Sequence, residues 1–329
     1  LTNGYIIRST DAAAATTKKF IYPASVNARE FYLRADVAAT TLSITKMDSI
    51  NFVDYAQLAN QGNYLIITNK KLLKDSLNNN FVEQYRSYRD KVDNPTSGKY
   101  IARIYDIEQL YDQFGYGVQK SPLAIRNFVA FAEQTFTSSN SPEYLFIIGK
   151  GREYQKMRLG AALYNVNTYN QALVPTFGYP GSDILLTGKR GLNQPTLAVG
   201  RLAAENPYQI RDYLNKIKEY ELQQSTFGDP HQNKLEKLWM KQVLHFGGGE
   251  EVFEQVMIKD FLNTYKGIVQ DTFWGAHVTS YFKTSSAPID ITLSQVIKGR
   301  IDSGVSLMTF FGHAATTAFD ISVDEPENY

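Results

Sequence analysis

Tyr64-Leu65-Ile66-Ile67-Thr68, entered from Gly62, is apolar without alternation, and Tyr144-Leu145-Phe146-Ile147-Ile148, stopped by Gly149, reads the same way. A strand with one face in water alternates apolar and polar residues, whereas a strand covered on both faces does not. These two runs therefore predict strands inside a parallel sheet with helices on both faces.

The chain on either side fits that frame. A polar, helix-compatible stretch runs from Leu72 to Arg89, and Tyr100–Ile107 reads as the next strand. Ser121-Pro122 supplies an N-cap and a proline at the first helical position, and Ile125, Phe128, Val129 and Ala132 follow at helical spacing. Leu197–Val199 leads into Gly200-Arg201-Leu202, and Asn206-Pro207 opens a helix with Ile210, Tyr213, Leu214 and Ile217 on one face. After the Ser-, Gly-, Asp- and Pro-containing stretch Gln223–Lys234, which reads as a linker, the pattern resumes. Gln242–Phe246 is a strand, Gly247-Gly248-Gly249 a turn, and Glu250–Tyr265 a helix carrying Phe253, Met257, Ile258, Phe261 and Leu262. A last helix over Asp290–Asp302, with Leu293, Val296 and Ile297 as its apolar face, ends at Gly304, and Val305–Phe311 is a final apolar strand. Before residue 53 only short β-like pieces occur, at Tyr5–Arg8, Phe31–Leu33 and Thr41–Ile44. The predicted architecture is α/β, with two consecutive parallel-sheet subdomains over 53–230 and 231–329. The second is expected to be incomplete at its C-terminus, and 1–52 to be a β-rich lead-in or the end of a preceding β domain.

Bulk composition excludes several classes. The net charge of +1 gives no basic surface for nucleic acid or acidic membrane, and pairs such as Lys18-Lys19 and Lys70-Lys71 read as solvated faces. No run of about 18 apolar residues is present, so no membrane span is expected. There is no cysteine, which excludes disulfides, thiolate metal sites and a cysteine nucleophile within these residues. The sequence opens on Leu1 without a charged-then-apolar leader and reads as an excised piece, with any targeting signal outside it.

In open parallel sheets the chemistry gathers past the carboxyl ends of the strands. That rule selects Gly149–Glu153, Gly247–Glu251 and Gly312-His313. His313 follows a glycine at a strand end, where an imidazole can act as general acid or base near neutral pH, or simply be a satisfied edge histidine. His231 lies in the linker, His245 within a strand and His277 near a turn, and all three are expected to be structural. No two histidines have metal-ligand spacing, so no metal site is expected. Glu153, beside Arg152 and Lys150, either forms an ion pair or orients an imidazole. The three glycines outline a phosphate cradle, but no Lys-Ser/Thr pair follows them, and Glu250 and Glu251 would repel a phosphate.

Six segments, in order, resemble the gingipain-like cysteine peptidases of clan CD, which include the sortase-type peptidase of type IX secretion. They are Tyr64–Thr68 with Lys70–Leu73, Ser121–Val129, Tyr144–Gly149, Leu197–Leu202, Tyr208–Glu221, and Asp302–His313, whose Phe310-Phe311-Gly312-His313 is similar to the family's histidine-bearing strand end. The resemblance covers about residues 53–329. It implies a caspase/gingipain-like fold and acyl transfer by a thiolate and an imidazole. His313 would be the catalytic histidine and Glu153 the carboxylate assisting it. The Ala314 N–H would belong to the oxyanion hole, and Asp183 would line the primary specificity pocket, as an acidic residue does in some arginine-specific members. Departures are Ala314, where the family has glycine, and Lys150-Gly151, where aspartate and histidine or tyrosine are common. The second departure puts a calcium or substrate contact in doubt. The family's cysteine lies well past the histidine, so the thiolate is expected beyond Tyr329 and these residues alone to be inert. The resemblance further implies a peptide or protein substrate, no cofactor other than a structural calcium, secretion-machinery partners, and an exported, cell-surface location. Two rivals stand beside it. One is a non-catalytic gingipain-like scaffold that binds partners in surface export or gliding, motivated by Ala314 and Lys150-Gly151; the other is a nucleotide-binding α/β protein.

Overall fold

The computed structural model describes residues 49–93, 98–153, 157, 166–178, 181–189, 191, 194–225, 234–283 and 291–313, with 19–20, 24 and 26. The β-like pieces expected before residue 53, most of the expected linker, and Ala314 lie outside the described residues. The chain divides into two units, Leu1–Gln61 and Gly62–Tyr329. In the first, Asp54 organises a turn: its carboxylate accepts from the Ala56 N–H at 3.0 Å and its carbonyl from the Asn60 amide at 2.8 Å.

The second unit is an α/β fold of two parallel sheets with helices. The first sheet contains β1 (Tyr64–Thr68), β2 (Ala102–Asp106), β3 (Tyr144–Ile148) and β4 (Ala198–Leu202) in the order β2-β1-β3-β4. Residue 64 faces 102 on one side and 144 on the other, and 144 faces 198. The two runs that predicted the fold are the two central strands. Leu65, Ile66 and Ile67 are fully buried, as are Ile147 and Ile148, because helices cover both faces.

Those helices begin where side chains can satisfy their first N–H groups. Asn80 accepts from Glu83 N at the start of α1 (Phe81–Arg89), and Asp106 accepts from Glu108 N at the start of α2 (Ile107–Phe114). The α2 helix was not expected from sequence, since Ile107 reads equally well as the last residue of a strand. In α3 (Leu123–Thr135), Ala124, Ile125, Phe128, Val129 and Ala132 are all buried, as their spacing required. Pro122 is the cap residue there and already has helical φ and ψ, one place later than the Ser121 cap predicted. A short α4 (Val166–Gln171) precedes the loop into β4, and α5 (Pro207–Ser225) buries Ile210 and Leu214. Those two residues join Ile66, Val82, Tyr85, Phe146 and Ile148 in one core cluster.

The second sheet contains β5 (Gln242–Gly247), β6 (His277–Phe282) and β7 (Leu307–Phe311), all parallel, in the order β6-β5-β7. His277, expected near a turn, opens β6. One face of β5 places Leu244 and Phe246 against Ile297 of α7 (Ile291–Asp302). Phe246 stacks on Tyr281 and Phe310 at centroid distances of 5.6 and 4.7 Å. Over the other face lies α6 (Val252–Val269), packed on β5 and β6. Of its five periodic apolar residues only Ile258 and Leu262 are buried, whereas Phe253 is 68 % exposed and Met257 and Phe261 each 46 %. In β7, Leu307 is 51 % exposed and Met308 44 %. Among the described residues the sheet beneath this helix is three strands wide and β7 is its edge, so apolar surface that a wider sheet would cover faces outward.

Candidate active site

At the carboxyl edge of the first sheet, Arg201 of β4 uses all five of its N–H donors. Its Nε and Nη2 hold the two Asp183 carboxylate oxygens at 2.7 and 2.8 Å. Its Nη1 donates to the carbonyls of Gly149 (2.6 Å) and Val174 (3.0 Å), and Nη2 also to Pro175 O at 2.9 Å. The segment bound this way, 172–175, closes the crevice between β1 and β3, where the strand connections diverge to opposite sides. Leu173 N and Val174 N donate to Lys150 O, Asn69 donates to Leu173 O at 3.3 Å, and the buried Lys120 ammonium donates to Ala172 O at 2.5 Å. Gly149 permits the close approach: its φ is +145°, and a methyl group there would sit 2.9 Å from Val174 Cγ2. Beyond it, Lys150 pairs with Glu205 and holds that carboxyl below its usual range, while Arg152 donates to Gln171. Glu153 packs beside Gly181, where a Cβ would lie 3.9 Å from the Glu153 Cγ.

The carboxyl edge of the second sheet is built differently. Parallel pairing sets Gly247 opposite Phe311, and Gly248 N donates to Phe311 O at 2.8 Å, so the turn after β5 sits against the end of β7. Gly249, at φ +115°, then turns the chain into α6. The carboxylate of Glu254, in the first turn of α6, folds back and accepts from Glu250 N at 3.0 Å and Glu251 N at 3.3 Å. His313 Nε2 is 3.3 Å from the same oxygen, Glu254 Oε2. The Glu251 and Glu250 amides, followed by His313, hold the Glu254 carboxyl below the ordinary glutamate range. The imidazole side chain is 56 % exposed and the carboxylate 24 %. Chemically this is an ionised carboxylate fixed by backbone amides, orienting an imidazole that is open to solvent.

Residues 57–329 match the model of peptidase family C25. The chain belongs to peptidase family C25, the gingipain family of clan CD. No curated protein and no solved structure matches it. Family C25 comprises cysteine peptidases acting on protein substrates.

Within this C25 chain the expected residues fall on two different sheet edges. His313 is at the end of β7. Glu153 and Asp183 belong to the first sheet's edge, where the Asp183 carboxylate is engaged on both oxygens by Arg201. Glu254 was missed from sequence, although Glu251-Val252-Phe253-Glu254 has the spacing at which a third-position glutamate reaches back to the helix start. Among the described residues, no group of three or more His, Cys, Asp or Glu is arranged to hold a metal ion. At the Lys150-Gly151 turn, Lys150 is paired with Glu205. Gly249→Ala tests how the turn places Glu254: the added methyl would lie 2.9 Å from Gln255 N at a positive φ. The expected loss is about 1–3 kcal/mol of stability, read by urea denaturation. Unchanged stability would mean that the turn relaxes freely.

Proposed function

We propose that this chain carries the acid–base half of a cysteine endopeptidase, with His313 as the proton-transferring group and Glu254 as the residue that orients it. The observation supporting this is the 3.3 Å contact between His313 Nε2 and the amide-anchored Glu254 carboxylate at a parallel-sheet edge. The orienting role expected of Glu153 passes in this reading to Glu254. The thiolate, absent from these 329 residues, is supplied by chain beyond them. β7, the edge strand among the described residues, is suited to receive it, since a parallel strand added there would end beside His313. The thiolate attacks the scissile carbonyl, backbone N–H groups hold the oxyanion, and the imidazolium gives its proton to the leaving amine. The Ala314 N–H remains the proposed oxyanion donor. Export to the cell surface, contact with secretion machinery and a role in type IX secretion rest on the family resemblance, and fractionation of the producing cells would test the location.

The test uses two proteins. The 329-residue chain is expected to show no peptide turnover and no covalent labelling by a thiol-directed peptide electrophile. The complete gene product is expected to be labelled at one cysteine, with His313→Ala abolishing the labelling. A complete product that is never labelled and never cleaves peptide would favour a binding scaffold instead.

A further inference from the structure

One buried titratable group lies directly beneath the proposed site and plays no part in the chemistry above. His245 is 3 % exposed. It lies on β5 two residues before Gly247, where the chain leaves the sheet for Glu254. In register it faces Ser280 of β6 and Thr309 of β7, the latter four residues before His313. Its ring bonds the Leu262 backbone in α6, the helix that carries Glu254. The other ring nitrogen, Nδ1, has no hydrogen-bond partner among the described residues, nor has the neighbouring Ser280 hydroxyl. His245 thus sits on the strand leading to Glu254, in register with the strand leading to His313, and its ring bonds the helix bearing the carboxylate.

We propose that His245 is a proton-operated latch: neutral, it keeps β5, β7 and α6 in the arrangement that sets Glu254 on His313, and protonated, it releases them. The neutral ring needs one acceptor and has it at Leu262. The imidazolium carries a second N–H with no acceptor, and a buried unpaired charge is costly. Of the elements packed on it, α6 contributes Lys266, which repels a second cation, and further along Lys259, which lies over the Phe282 ring. The in-register neighbours from β6 and β7, Ser280 and Thr309, are neutral.

Burial first, then Lys266, outweigh the Leu262 bond and hold the imidazole below the ordinary value of 6.5. Since the folded value is depressed, the latch stabilises fully above the unfolded-chain value. Below 6.5 the unfolded chain takes up a proton that the folded chain refuses, so stability falls as pH falls, until the folded value is passed.

The latch rests on the reading of Glu254 and His313 as the working pair, but its test needs no catalysis. In the 329-residue chain with labelled imidazoles, magnetic resonance follows each of the four histidines. The His245 signal is expected to titrate below 6.5, and the His313 signal to show a second inflection at the same pH. In His245→Asn that inflection disappears, and the stability lost between about pH 7 and about pH 5 shrinks. A His245 signal titrating at or above 6.5 would overturn the latch, as would a His313 signal blind to it. Both readings come from the unmodified chain, so they hold even where the variant does not fold. Failure of the functional reading would show elsewhere, as full activity of a complete protein lacking the Glu254 charge.

Discussion

Arg201→Ala is expected to lower the unfolding free energy of the chain by about 3–5 kcal/mol, the cost of removing one partner from a largely buried ion pair. The guanidinium side chain is 12 % exposed and its Asp183 partner 23 %, so solvent offers little compensation. Truncation leaves the carboxylate without its cation and the carbonyls of Gly149, Val174 and Pro175 without a shared donor. Arg201→Lys is expected to recover only part of the loss, because an ammonium offers three donors and no planar fork. Equilibrium unfolding in urea measures both. A loss below about 1 kcal/mol for alanine, the size of an exposed pair, would show that the loop over the first sheet is held by packing and not by Arg201. Asp183→Asn should be milder than Arg201→Ala, since the amide oxygen still accepts one of the two bonds.

The second large effect concerns turnover. In the complete gene product, Glu254→Gln is expected to lower kcat/KM by about 10²-fold or more, within the range for disabling acid–base catalysis. The glutamine oxygen can still accept from the Glu250 and Glu251 amides, so the helix start survives while the negative charge facing the imidazole is lost. Glu153→Gln, on the other sheet's edge, is expected to leave kcat/KM near the wild-type value. The reverse pattern would return the orienting role to Glu153 and reduce Glu254 to a helix cap. Matched circular-dichroism melts of the two variants separate loss of chemistry from loss of fold.

What could be read from the residues was whatever leaves a local trace. The unbroken runs at 64–68 and 144–148 announced central strands because burial on both faces removes alternation. The Ile125, Phe128, Val129, Ala132 spacing likewise announced a buried helix face. Both strands bearing the candidate site were visible, as was the histidine at the end of one. Three features were not visible, each for its own reason. Strand β6, His277–Phe282, is an edge strand with no unbroken apolar run. The outward-facing Phe253, Met257 and Phe261 of α6 share a period with the buried Ile258 and Leu262, and periodicity does not say how wide the sheet beneath is. Glu254 meets His313 across 59 positions of sequence, and only the parallel register of β5 with β7 brings them together. The likeness to a family points to Glu153, which follows the end of β3 in the other sheet.

The order of the elements along the chain has a consequence for biosynthesis. Among the described residues, the strand pairings and the core cluster of the first sheet all fall before residue 226, so that half can settle while the remainder is still on the ribosome. The histidine-bearing ribbon emerges on the order of ten seconds later at ordinary translation speeds. Until then β5 lacks its β7 neighbour, and an unpaired strand flank is a template for pairing with other chains.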